Sequence, residues 1–262
     1  MSALAHALAP SPDDERSPRS TQSILEHLEE LRTRIVRSCI AIGVGVVICF
    51  FFIDRIVAFV FAPMRAALKA SGHGTSLIYT APGEAFALYV NIALIAGATL
   101  ASPFVLFQLW RFLAPALYAN EKKFAIPFVL MSSGGVAVGW LFSHYIVFPY
   151  MIAFFDTFSS AELDFKPRVA DAFDLYVKML FGMVLVFQMP TVVFFLAKMR
   201  MVTARFLAVN IKYAILIIFI AAAVLTPSSD PWNQTVFAAP MIVLYLISIG
   251  IAWLAAPRRV PR

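Results

Sequence analysis

The chain has 262 residues, 61% of them hydrophobic and 14% charged, with a mean hydropathy of +0.83 and a formal net charge of +6. Soluble domains carry about 25% charged residues, so this chain lacks the polar surface of a water-soluble globule and reads as an all-α polytopic membrane protein. Its Lys and Arg residues flank apolar segments and form no aromatic-interleaved basic run, which argues against nucleic acid as a partner.

Residues 1–22 are rich in Pro, Ser and charge with no apolar period, and read as a disordered tail. No apolar run followed by a small-residue cleavage site marks a cleavable signal peptide. Ser23 with Glu26 forms a capping box, which predicts a helix start there. A bilayer core needs about 20 apolar residues per helix. The first candidate, 35–53, contains Cys39 and Cys49; on a helix they lie about 15 Å apart, too far for a disulfide. The second, 85–112, opens at Glu84, which suits the positive end of a helix. The third, 124–148, is closed by Pro149.

The fourth candidate, 175–199, starts behind Asp171 and Asp174 and carries Gln188 and Pro190 at depth. The fifth, 213–225, is too short for an unthinned bilayer. The sixth, 236–256, is interrupted by Pro240, and residues 257–262 form a second tail. Six spans are therefore expected between residues 23 and 256. Pro103, Pro190 and Pro240 fall within them and favour bends that would give a concave wall. Fifteen Lys and Arg residues flank one side and six the other, so both termini are expected in the cytoplasm. The two halves show no repeat, unlike many transporters.

The stretch HLEELRTRIVRS, 27–38, sits at the mouth of the first span. On a helix, Ile24, Leu28, Leu31 and Ile35 share one stripe, while Glu26, Glu30, Arg34 and Arg37 lie opposite. The apolar stripe could face the membrane or the bundle, leaving the acidic face for visitors. The bland alternative is a local i,i+4 pair between Glu30 and Arg34. A second carboxylate, Glu121, lies beside Lys122 and Lys123 on the same side of the membrane by the charge count. Two such carboxylates could receive guanidinium groups in a fork geometry that Lys cannot reproduce.

HLEELRTRIVRS resembles the N-terminal motif of the TatC family, the core receptor of the twin-arginine protein translocase. The resemblance continues through FAPM (61–64), TAPGEAF (80–86), SPFVLFQLWRFLAPALYANEKK (102–123), FSHYIVFP (142–149), VFQMP (186–190) and LTPSSDPWNQTVFAAPM (225–241). It implies a receptor for signal peptides bearing consecutive arginines, with Glu30 and Glu121 as the arginine site. Arg32, Phe112, Leu117 and Tyr118 belong to the same motifs and would shape that site, while Pro63 and Pro103 match structural prolines. Many family members have Glu where this chain has Gln188; an amide cannot titrate but can bond across helices. Tyr145 and Asp230 lie in similar motifs as candidate partner contacts, and Asp230 could equally cap the sixth helix. His6, His27, His73 and His144 are isolated and read as structural.

The resemblance further implies TatA-like and TatB-like single-span partners, self-association, folded cargo, a lipid environment in the prokaryotic inner membrane and energy from the proton-motive force. No cofactor, metal or catalysis is expected, because no nucleophile–base pair or ligand set is visible. The alternative is an ion-coupled secondary transporter using Glu84, Asp171, Asp174, Lys178 and Gln188. Its charged members fall at predicted helix ends, whereas transport needs ionisable groups at depth.

Overall fold

A computed structural model describes residues 17–70, 77–113, 125–159, 166–226 and 230–255. Among these the chain is helical, apart from short connections and an isolated parallel bridge between Ile78 and Arg168. Five helical stretches are long and apolar enough to cross a membrane: Leu28–Phe51, Glu84–Phe112, Ile126–Asp156, Val169–Lys198 and Pro231–Ala255. Helix Ile211–Leu225 has 15 residues, about 22 Å of rise, and corresponds to the short fifth segment, 213–225, that the sequence predicts.

Helix α1 (Ser17–Phe51) begins ahead of the Ser23–Glu26 box. Pro18 falls in its first turn, where a missing N–H costs nothing. Helices α2 (Ile53–Val60) and α3 (Ala62–Ala70) follow, and Pro63 enters the first turn of α3. Val60, Phe61, Met64 and Leu68 pack there against Ile92, Phe148, Ile152 and Tyr176. This cap, with α4 (Glu84–Leu113), closes one end of the bundle.

The third span does not stop at Pro149. Helix α5 (Ala125–Phe142) passes through a π-helical turn, Ser143–Val147, into α6 (Phe148–Asp156). Pro149 lies in the first turn of α6, and the wider π turn before it accommodates the absent donor. The fourth span is broken at Gln188 into α7 (Val169–Phe187) and α8 (Met189–Lys198). Pro190 cannot donate back along the helix, so the ladder is interrupted just before it. Helix α9 (Ala204–Val209) is capped by Thr203 Oγ1, which accepts from the Phe206 amide at 3.1 Å. Helices α10 (Ile211–Leu225) and α11 (Pro231–Ala255) follow.

A second core joins Met151, Met179 and Met183 to Ile218, Phe237, Met241 and Tyr245. Val193, Ala197, Ala252 and Ala255 close α8 against α11. Outside these cores the helices expose Ile40, Val47, Phe51, Leu185, Leu216 and Leu254, as lipid-facing helices do.

Candidate functional site

The start of the first span is oriented by its polar face. Leu28 and Ile35, from the predicted apolar stripe, are exposed, whereas the Arg34 side chain is only 12% exposed. At Leu28 and Ile35 the stripe faces outward while Leu31 is half-buried, and of the charge-bearing face Arg34 lies on α4 while Arg37 is exposed. The cause is polar complementarity across the interface. Arg34 Nη1 donates to Gln108 Oε1 at 3.4 Å, and Arg34 Nη2 donates to Glu30 Oε1. Gln108 is itself buried, so the contact lies inside the α1–α4 seam. The local i,i+4 pair exists, and it is also part of an interhelical network.

Glu29, Glu30, Thr33, Arg34 and Arg37 line an open cavity of about 340 Å³ beside this network. Arg32 is exposed, and Phe112 is half-buried at the end of α4. Trp110 stacks on Phe128 at a centroid distance of 4.8 Å, so the end of α4 and the start of α5 meet at this end of the bundle. Leu117, Tyr118 and Glu121 lie outside the described residues. The structure therefore brings Glu30, Arg34 and Gln108 together and leaves the second predicted carboxylate undescribed.

Gln188 sits at the break between α7 and α8, and its Nε2 donates to the Ser132 carbonyl of α5 at 3.0 Å. It is thus an interhelical tie. Gly135 lets this approach happen, since a Cβ there would lie 2.8 Å from the Phe187 carbonyl oxygen. Nearby, Cys49, Ile56, Phe59, Ala96, Thr99, Pro103, Ser133 and Trp140 line part of an apolar groove of about 490 Å³. Pro103 lies inside α4 on this groove, and the Ser133 hydroxyl has no hydrogen-bond partner among the described residues.

At the opposite end, Tyr145 is 60% exposed and meets Phe59 edge-on. Its neighbour His144 is buried, stacks on Phe59 at 4.3 Å and on Trp140 at 5.2 Å, and lies 3.2 Å from the Tyr176 hydroxyl. This aromatic cage gives the isolated histidine the structural role predicted for it. Asp230 caps α11, its Oδ2 accepting from the Asn233 amide at 3.1 Å.

Glu84 is more deeply engaged than its helix-start position indicated. Its side chain is 7% exposed, accepts from the amides of Thr80, Ala81 and Ala170 at 2.9, 3.2 and 3.1 Å, and lies 3.7 Å from Arg168. With the Ile78–Arg168 bridge, it ties the approach to α4 onto the start of α7. Arg168 also reaches Asp171 at 3.9 Å. These charges of the transporter alternative hold helix starts together. Sequence reasoning missed Gln108 and the Glu84 clamp, because both depend on partners far along the chain.

The comparisons with known proteins agree with this architecture. The family model described as "Sec-independent protein translocase protein (TatC)" matches residues 26–240. The TatC protein of Koribacter versatilis is 41% identical over 238 residues, covering 90% of this chain and 87% of that protein. The TatC protein of Helicobacter pylori strain 26695 is 36% identical over 236 residues, covering 90% and 89%. A crystal structure described as "Twin Arginine Translocase Receptor- TatC" superposes with a TM-score of 0.72 at 34% identity, covering 87% of this chain and 99% of that one. The chain belongs to the TatC family of Sec-independent protein translocase proteins.

Proposed function

We propose that this chain, a non-enzymatic multi-pass subunit of the twin-arginine translocase of the prokaryotic inner membrane, receives the consecutive arginines of export signal peptides on Glu30 and Glu121. One observation carries the reading: a guanidinium, that of Arg34, already lies between the Glu30 carboxylate and the Gln108 side-chain oxygen. The cavity beside them is open and polar. Charge-assisted bonds gain strength where the local dielectric falls, so the headgroup region favours this chemistry over open water. Arg32, Phe112, Leu117 and Tyr118 shape the site around the two carboxylates.

Both termini lie in the cytoplasm in this reading, with the Glu30 end facing the incoming peptide. The peptide's apolar run then follows the groove lined by Cys49, Thr99, Pro103 and Trp140. Gln188 and the exposed Tyr145 offer polar contacts to partner helices, and Asp230 fixes the start of α11 for the same purpose. Membership of the translocase implies further Tat subunits; we assign them as TatA-like and TatB-like single-span proteins, with further copies of this chain. Folded cargo crosses at the expense of the proton-motive force.

Photo-crosslinking tests the placement. A photoreactive side chain at Phe112 should capture a bound signal peptide near its arginines, and one at Leu254 should not. Equal capture at both positions contradicts the proposal.

A further inference from the structure

We propose that Arg34 is a built-in competitor for the arginine site, occupying Glu30 in the resting protein and yielding it when a signal peptide docks. The inference rests on the reading of Glu30 as an arginine-accepting carboxylate. Arg34 is held on α1 four residues from Glu30 and donates to it through one terminal nitrogen. Its other terminal nitrogen is held by Gln108 on α4 at 3.4 Å. The third nitrogen, Nε, is buried and has no acceptor among the described residues. A guanidinium that buries an unmet donor is not in its best available arrangement. It can therefore release Glu30 while Gln108 keeps hold of it, and the cavity between Glu29, Thr33 and Arg37 gives the exchange room.

Competition of this kind has a defined signature. When only a fraction of the protein presents a free carboxylate, every ligand of that carboxylate loses apparent affinity by that same fraction. Arg34 thus sets the threshold for docking and leaves the preference for arginine over lysine to the geometry of the fork. Weakly matching apolar segments with a single positive charge are kept off by the same device. No covalent step or added factor is involved; one guanidinium replaces another on one carboxylate.

The test uses membrane vesicles carrying the assembled translocase and two labelled synthetic peptides, a twin-arginine signal peptide and its twin-lysine variant. Arg34→Gln should tighten both peptides by the same factor, about 3- to 10-fold, and should have no such effect when Glu30→Gln is also present. Arg34→Lys keeps the charge but loses the fork, and should also tighten both, to a smaller extent. It serves as the second variant if the glutamine form fails to assemble. Weaker binding in both Arg34 variants, or tightening that persists in the Glu30→Gln background, overturns the competitor role. If Glu30→Gln alone leaves twin-arginine binding unchanged, the site reading itself fails, and the competitor with it.

Discussion

Gly45 of α1 and Gly97 of α4 lie against each other's backbone. A Cβ on Gly45 would sit 2.6 Å from the Gly97 carbonyl oxygen, and one on Gly97 would sit 2.7 Å from the Val46 Cα. Small residues at helix crossings allow such approach in membranes, where packing substitutes for the hydrophobic effect. The consequence reaches the site: this crossing anchors the same two helices that Arg34 and Gln108 join nearer the Glu30 end.

Gly97→Ala should therefore destabilise the protein by about 1–3 kcal/mol, the range for overpacking a tight contact. Gly43→Ala is the control, because a Cβ at Gly43 meets nothing within 4 Å. Unfolding in detergent, followed by helical circular dichroism, should separate the two variants. Equal stability would mean that the helices do not cross at these glycines.

Gln188 donates to the Ser132 carbonyl, so Gln188→Leu should lose one interhelical bond, worth about 0.6 kcal/mol on average in membranes. Gln188→Glu is more informative. Only a protonated carboxyl can donate to that carbonyl; an ionised one faces it as a second acceptor. The glutamate variant should match the parent at acidic pH and become less stable as the carboxyl ionises at higher pH. Melting temperatures across pH check this, and a difference from the parent that does not change with pH would contradict it.

Glu84 gathers three backbone amides and lies near Arg168, at the junction of α4 and α7. Glu84→Ala should leave the amides of Thr80, Ala81 and Ala170 without their acceptor and loosen this end. Hydrogen exchange should rise at Ala170 and along the start of α7, with little change at the start of α1. Unchanged protection at Ala170 would show that the clamp is dispensable.

Arg200 closes α8 in the left-handed region, with φ of 61°, while the amides of Arg200 and Met201 bond back to the carbonyls of Ala197 and Leu196. This is the position that favours glycine at a helix C-terminus, and a side chain there costs about 1–2 kcal/mol. Arg200→Gly should raise the melting temperature in detergent. A fall would show that the Arg200 side chain contributes more than the backbone strain costs.

The apolar segments, the short fifth helix and the charged motif of α1 were legible because each is written in local composition. The capping role of Asp230 was legible for the same reason, since a cap and its helix are neighbours in sequence. The outward turn of Leu28 and Ile35 was not, because the acceptor that draws Arg34 inward is Gln108, on another helix. Pro149 read as a helix end, since nothing local announces the π turn that carries the chain past it. Glu84 read as a helix-start charge, while its partners Arg168 and Ala170 come from the start of α7.

The most direct test is equilibrium binding of a twin-arginine signal peptide and its twin-lysine variant to translocase vesicles carrying either the parent chain or the Glu30→Gln, Glu121→Gln double variant. The account predicts a preference for arginine in the parent that disappears in the double variant. Removing either carboxylate alone should cost about 2–5 kcal/mol if the pair is desolvated on docking. An arginine preference that survives the double substitution would place the recognition site elsewhere and contradict the account.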